Sequence, residues 1–339
     1  MASHTRFLIT VLAALTGLQL QVPAQDSKNE PYPRVNLAPT YKVDASWPDK
    51  PDEYTWEAVP GVAVDKQDNV WVFTRSKPPI QVYASDGKLI RAWGNDTIET
   101  AHHLKIDREG NIWVADIGLH VIRKFSPQGE VMMTIGTEGE SGLSETHLNQ
   151  PTDMTIAPNG HVFVSDGYGN NRVVHFDDRG RYVNSWGQLG TGPTDFSLPH
   201  AIAMDSMGRL YVADRNNVRV LIYSQAGKLL DQWNNVIVPW GFWVTSEDEI
   251  WVCGSSPMPW RNDADYPGAP LGCPPKDQIL MKFNTDGRAL QLWTIPKGKD
   301  GEEKPGDVNW IHAMAVDSKG NIYVGDIIGK RAQKFVAQK

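Results

Sequence analysis

Cysteine is nearly absent from this chain. Cys253 and Cys273 are the two among 339 residues, and no C-x-x-C pair occurs, which excludes a thiolate zinc ribbon and a dithiol redox centre. Both flank the one long insertion, SSPMPWRNDADYPGAPLG, which they could close as a disulfide in an oxidising compartment, although spacing alone supplies no geometry for the bond. A basic surplus is missing as well: 33 Lys and Arg stand against 40 Asp and Glu, a net charge of −7, so there is no electrostatic footprint for nucleic acid. Long apolar runs are confined to FLITVLAALTGLQL near the start. Arg6 precedes that run and Val22-Pro-Ala24 offers small residues for cleavage, so residues 1–24 read as a signal peptide and not as a membrane anchor. No cysteine stands nearby to carry a lipid. The expectation is a periplasmic or secreted protein with no membrane attachment after cleavage, beginning with a polar, Pro-rich, flexible lead-in over residues 25–40.

What the chain does have is an internal repeat of about 40 residues. GVAVDKQDNVWVF, HLKIDREGNIWVAD, DMTIAPNGHVFVSD, AIAMDSMGRLYVAD, GFWVTSEDEIWVC and AMAVDSKGNIYVGD open six copies. Each holds an apolar strand usually ending in Asp, a Gly/Asn turn, an aromatic–Val strand, and two further strands such as VVHFDDRGRYVNSWG joined through a Gly-containing turn. Four strands in each of six copies predict an all-β fold, a six-bladed β-propeller over residues 41–339. The sixth copy stops after its third strand, RAQKF, while Tyr41–Trp47 has the look of an outer strand. The N-terminal segment is therefore expected to complete the last blade and close the ring, removing an open edge. Most of the 13 tryptophans are expected to pack between blades at strand ends.

One column of the repeat carries chemistry. His102, His200 and His312 occupy the same point in the second, fourth and sixth copies, where the others have Pro60, Thr152 and Trp240. A lone histidine at a strand start is ordinarily a hydrogen-bonded structural residue. Three in alternate copies are different, because packing against a neighbouring blade would favour the same residue in every copy. In a ring they converge on the axis with near three-fold symmetry, and three neutral imidazoles leave a fourth tetrahedral position of Zn²⁺ open, as in catalytic sites.

Other columns separate structure from function. Asp116, Asp166, Asp214 and Asp326 end the second strand in four copies, and their repetition argues for turn capping. The residues that follow, Arg75, Tyr168 and Arg215, do not repeat, and non-repeating polar residues at the rim of the axial mouth are where function is to be sought. The long insertion in the fifth copy is also of a kind that borders binding mouths.

The stretch Gln150–Val220, QPTDMTIAPNGHVFVSDGYGNNRVVHF through FSLPHAIAMDSMGRLYVADRNNVRV, closely resembles the peptidyl-α-hydroxyglycine α-amidating lyases, and the similarity extends over all six copies. DGY and FSxPH are more specific than general NHL-type repeat similarity. The resemblance implies cleavage of a carbinolamide, R–CO–NH–CH(OH)–COO⁻, to an amide and glyoxylate. It implies catalytic zinc on His102, His200 and His312, a catalytic tyrosine at Tyr168, and active-site arginines at Arg75 and Arg215, either of which can grip the substrate carboxylate bidentately. It also implies a structural calcium on the backbone carbonyls of Val62 and Leu104, but the aspartate of that site is Ala313 here, and a hard cation without its carboxylate binds poorly. Two further departures are Trp310 in place of a methionine, and Gly169 and Tyr211 among the residues standing where the family has disulfide cysteines.

Two other classes of function stay open at this level. One is a metal-dependent, lactonase-like propeller hydrolase, which carboxylate ligands at the axis would favour. The other is a metal-free NHL-type module whose rim grips a peptide or glycan. The partner that the leading reading implies is a small-molecule or peptide substrate.

Overall fold

The computed structural model describes residues 40–255 and 278–338. The segment 1–24 expected to be a signal peptide, all but the last residue of the lead-in, most of the fifth-copy insertion, and Cys273 with the disulfide considered for it lie outside the described residues. Six four-stranded antiparallel sheets form the blades of a propeller. Among the described residues the single helical turn is the 3-10 turn Arg215–Asn217, and no helix is long and apolar enough to cross a membrane.

The repeated motif explains its own local structure. In the second blade, Asp107 closes the turn between the inner strand Ala101–Ile106 and the second strand Ile112–Asp116. Its carboxylate accepts the Glu109 and Asn111 N–H groups at 3.0 and 2.8 Å, then the Trp113 indole N–H at 3.0 Å. Asp205 and Asp317 do the same for their turns and reach the hydroxyls of Tyr211 and Tyr323. This is why an aspartate, a Gly/Asn turn and an aromatic recur together: one carboxylate satisfies the turn's orphan donors and the polar tip of a buried ring. Outer-strand tryptophans lie over the hairpin turns of the next blade, Trp93 on Gly129, Trp186 on Gly227 and Trp233 on Gly287.

The ring closes through the N-terminal strand. Tyr41–Asp44 pairs antiparallel with Arg331–Ala337, in the register Tyr41↔Ala337 to Asp44↔Lys334. It thereby supplies the outer strand of the sixth blade. Trp47 then lodges between the first and last blades, 6.1 Å from Tyr83 and 5.0 Å from Tyr323 between ring centroids. Trp243, near the end of the fifth blade's inner strand Val238–Val244, packs against the cores between blades five and six, six and one, and one and two. To reach all three it must lie across the axis, at the end of its strand remote from Trp240.

Candidate metal centre

Each histidine of the alternating column sits at a bulge in an inner strand. Ala101 pairs with Asp116 and His103 with Ala115, leaving His102 as the extra residue. His312 is extra between Ile311↔Asp326 and Ala313↔Gly325. His200 and Ala201 together fall between the pairs Pro199↔Asp214 and Ile202↔Val212. A bulge breaks the strict alternation of side chains and re-aims one of them, here toward the axis. Two glycines allow the close approaches this demands. A β-carbon at Gly167, in the DGY motif, would stand 1.9 Å from the carbonyl of Pro199 beside His200, and one at Gly241 would stand 2.8 Å from the carbonyl of His312.

The three imidazoles are buried, with ring centroids 4.7 to 5.1 Å apart and one nitrogen of each within 4.8 Å of the others. Their other nitrogens are committed. His102 Nδ1 lies 2.5 Å from the Thr152 carbonyl, His200 Nδ1 2.6 Å from that of Trp240, and His312 Nδ1 2.7 Å from that of Pro60. A carbonyl only accepts, so each Nδ1 carries the proton and each Nε2 presents a lone pair. The partners are the three non-histidine residues of the same column, so each ring is fixed by the next blade around the ring.

Burial, and then the neighbouring imidazoles, drive all three histidine pKa values well below the ordinary 6.5, so the rings are neutral. Tyr168 reaches in from the third blade with its hydroxyl 3.0 Å from His102 Nε2 and 3.3 Å from His200 Nε2. Its single proton can be donated to only one of them, and His312 Nε2 has no hydrogen-bond partner among the described residues. Among the described residues three buried lone pairs thus converge on the one hydroxyl of Tyr168. Buried acceptors left unpaired are costly, and a cation is what this donor set accommodates: neutral nitrogens, each oriented by a carbonyl behind it.

The arginines complete the site. Arg75 Nε donates to the Ala101 carbonyl, next to His102, at 3.1 Å. The Arg215 guanidinium lies over the Trp310 ring at 5.6 Å, and Trp310 is stacked on Trp240 at 5.2 Å and 28°. Burial raises the Tyr168 pKa, while the charges of Arg215 and Arg75 and a hydrogen bond from Arg215 oppose that rise. The repeated aspartates do more than cap turns. Asp326 accepts the N–H groups of Asn309 and Trp310 before the inner strand as well as that of Gly329 after its own, and Asp116 likewise takes Glu99, Thr100, Gly118 and Leu119. They fasten the segment that leads into each histidine.

One axial residue has no counterpart in the sequence reading. His103 is buried beside His102, with Nδ1 3.1 Å from the same Thr152 carbonyl, Nε2 unpartnered among the described residues, and its ring 5.1 Å from both His102 and His312. Burial, then Lys105, pushes its pKa down to about 3. The His102–His103 doublet was visible, but only the bulge reveals that both rings face inward. At the positions where the resemblance implies calcium, Val62 and Leu104 are buried on neighbouring inner strands, and Ala313 turns its methyl into the apolar cluster that contains Val62. Cys253 is buried with no disulfide partner among the described residues, and burial pushes its thiol pKa up to about 12.

The NHL repeat family model matches residues 148–176 and 196–223. NHL repeat-containing protein 3 of Homo sapiens is 30% identical over 318 residues, covering 87% of this chain and 84% of that one. A probable peptidyl-α-hydroxyglycine α-amidating lyase of Caenorhabditis elegans is 30% identical over 255 residues, covering 73% and 67%. The chain belongs to this NHL-repeat family. A solved streptogramin B lyase superposes on this NHL propeller with a TM-score of 0.56 at 15% identity, covering 84% of this chain and 95% of that one, which is a likeness of fold. Within the family the buried histidine triad of this propeller is a site able to hold a metal ion.

Proposed function

We propose that this propeller is a zinc-dependent lyase that cleaves a peptidyl-α-hydroxyglycine-type carbinolamide into an amide and glyoxylate. The observation that carries the reading is the convergence of three oriented Nε2 lone pairs, two of them against the Tyr168 hydroxyl and that of His312 without a hydrogen-bond partner among the described residues. Relatives bearing the amidating-lyase name supply the reaction class. Zinc bound by His102, His200 and His312 would supply Lewis acidity to the substrate's hydroxyl.

As its phenolate, the form that the Arg215 and Arg75 charges favour against burial, Tyr168 accepts the hydroxyl proton as the C–N bond breaks and the carbon becomes the aldehyde of glyoxylate, and it then returns that proton to the departing nitrogen, which becomes the amide. Arg215 and Arg75 oppose the burial that makes Tyr168 a poor acid, and they bind the carboxylate that becomes glyoxylate's. Chelation of a carboxylate by Arg75 is tested with Arg75→Ala: kcat/KM should fall on the α-hydroxyglycine substrate and much less on an analogue whose carboxylate is an amide. Equal losses on both substrates would remove Arg75 from that role. Export by the segment 1–24 to the periplasm or exterior belongs to the same proposal, and N-terminal sequencing of the mature chain should begin at Gln25.

A further inference from the structure

We infer that Trp310 is a positioning residue for Arg215, and that a file of side chains from Trp240 through Trp310 and Arg215 to Tyr168 sets the geometry of the base. The backbone of Trp310 is pinned on both sides. Its N–H donates to Asp326 Oδ1 at 2.9 Å, and its carbonyl accepts the Ile327 N–H at 3.0 Å. Neither indole N–H of the Trp240–Trp310 pair has a hydrogen-bond partner among the described residues, so the orientation of the Trp310 ring is set by its stack on Trp240 at 28°.

Trp240 cannot shift freely to accommodate a change, since it is fully buried and its own carbonyl holds His200 Nδ1 at 2.6 Å. The Trp310 ring is the platform over which the Arg215 guanidinium lies, 5.6 Å from the ring centroid. The same guanidinium hydrogen-bonds the Tyr168 hydroxyl. A guanidinium over an indole face is held by cation–π attraction and by the flatness of both groups. A methionine at this position would offer neither. The effect on turnover rests on the lyase reading above; the contact between Trp310 and Arg215 does not.

The test uses the zinc-loaded mature chain with Trp310→Phe and Trp310→Met, and two independent readouts. In nitrogen-15 NMR the Arg215 Nε–H resonance, assigned by its disappearance in Arg215→Lys, should carry a ring-current shift that Phe keeps in part and Met abolishes. With an α-hydroxyglycine peptide, Trp310→Met should lose about 10-fold in kcat/KM, within what a partly desolvated cation–π contact is worth, and Trp310→Phe should recover most of it. Zinc content should be equal in all three proteins. An Arg215 resonance unmoved in Trp310→Met overturns the inference. So does a moved resonance with unchanged turnover, because Arg215 would then be displaced without consequence. If the unmodified protein itself releases no glyoxylate, the lyase reading fails, and the NMR arm still decides whether Trp310 holds Arg215.

Discussion

His312, in the last blade, donates its Nδ1 proton to the backbone carbonyl of Pro60, in the first blade and 252 residues earlier, at 2.7 Å. The bond spans the seam where the ring closes. One contact therefore both fixes the tautomer of a candidate metal ligand and ties the two ends of the propeller together, and the same relation recurs between blades two and three and between blades four and five.

Metal occupancy should for this reason be felt by the whole ring. Zinc-free protein should gain about 5 °C in Tm on saturation with Zn²⁺, by mass action on ligands drawn from three blades. His200→Ala should lose both the bound zinc and the gain, since two imidazoles rarely suffice. Calcium should give almost no rise, because Ala313 provides no carboxylate beside Val62 and Leu104. Elemental analysis and calorimetric melting check these outcomes; a large calcium-dependent rise would show that the carbonyls alone make a site.

Tyr168→Phe removes one hydroxyl and leaves the ring in place. Zinc content and melting should be unchanged, because the three imidazoles are held from behind by carbonyls. Turnover should fall about 10²- to 10⁴-fold, the usual loss of a general base. Full activity in this variant would take the base assignment away from Tyr168.

Acid should destabilise the metal-free protein. His102, His103, His200 and His312 all have folded-state pKa values below the ordinary 6.5. The unfolded chain binds protons at these positions as pH falls through about 6.5, and the folded chain does not. Their contribution is thus fully present above that pH and declines below it, over a window that for His103 reaches down to about 3. Urea unfolding of chelated protein at pH 7.5 and pH 5 should show the loss, and His103→Asn should make it smaller. Equal stability at the two pH values would mean that these rings are solvated.

Much of this was legible in the sequence. The repeat spelled the blades, RAQKF and Tyr41–Trp47 spelled the closure, and the alternation of His102, His200 and His312 marked the axis, because a repeat position maps to one place in every blade. The partners of those histidines were not legible: Pro60, Thr152 and Trp240 act through backbone carbonyls, which any residue possesses. Nor was the inward turn of His103, which depends on a bulge, or the stacking of Trp310 on Trp240, which joins residues 70 positions apart through the approach of two blades at Gly241. The repetition of the aspartate column points to turn capping alone, whereas Asp116, Asp214 and Asp326 also anchor the segments before the inner strands, a role set by chain path and not by the local motif.

Lyase activity is decided by incubating the zinc-loaded mature chain with a peptide ending in α-hydroxyglycine, at a pH where the uncatalysed breakdown is slow, and measuring glyoxylate and peptide amide together. The two products should appear in equal amounts, chelation should stop their formation, and added zinc should restore it. A chain that binds zinc at His102, His200 and His312 yet releases no glyoxylate above the uncatalysed rate is not an amidating lyase.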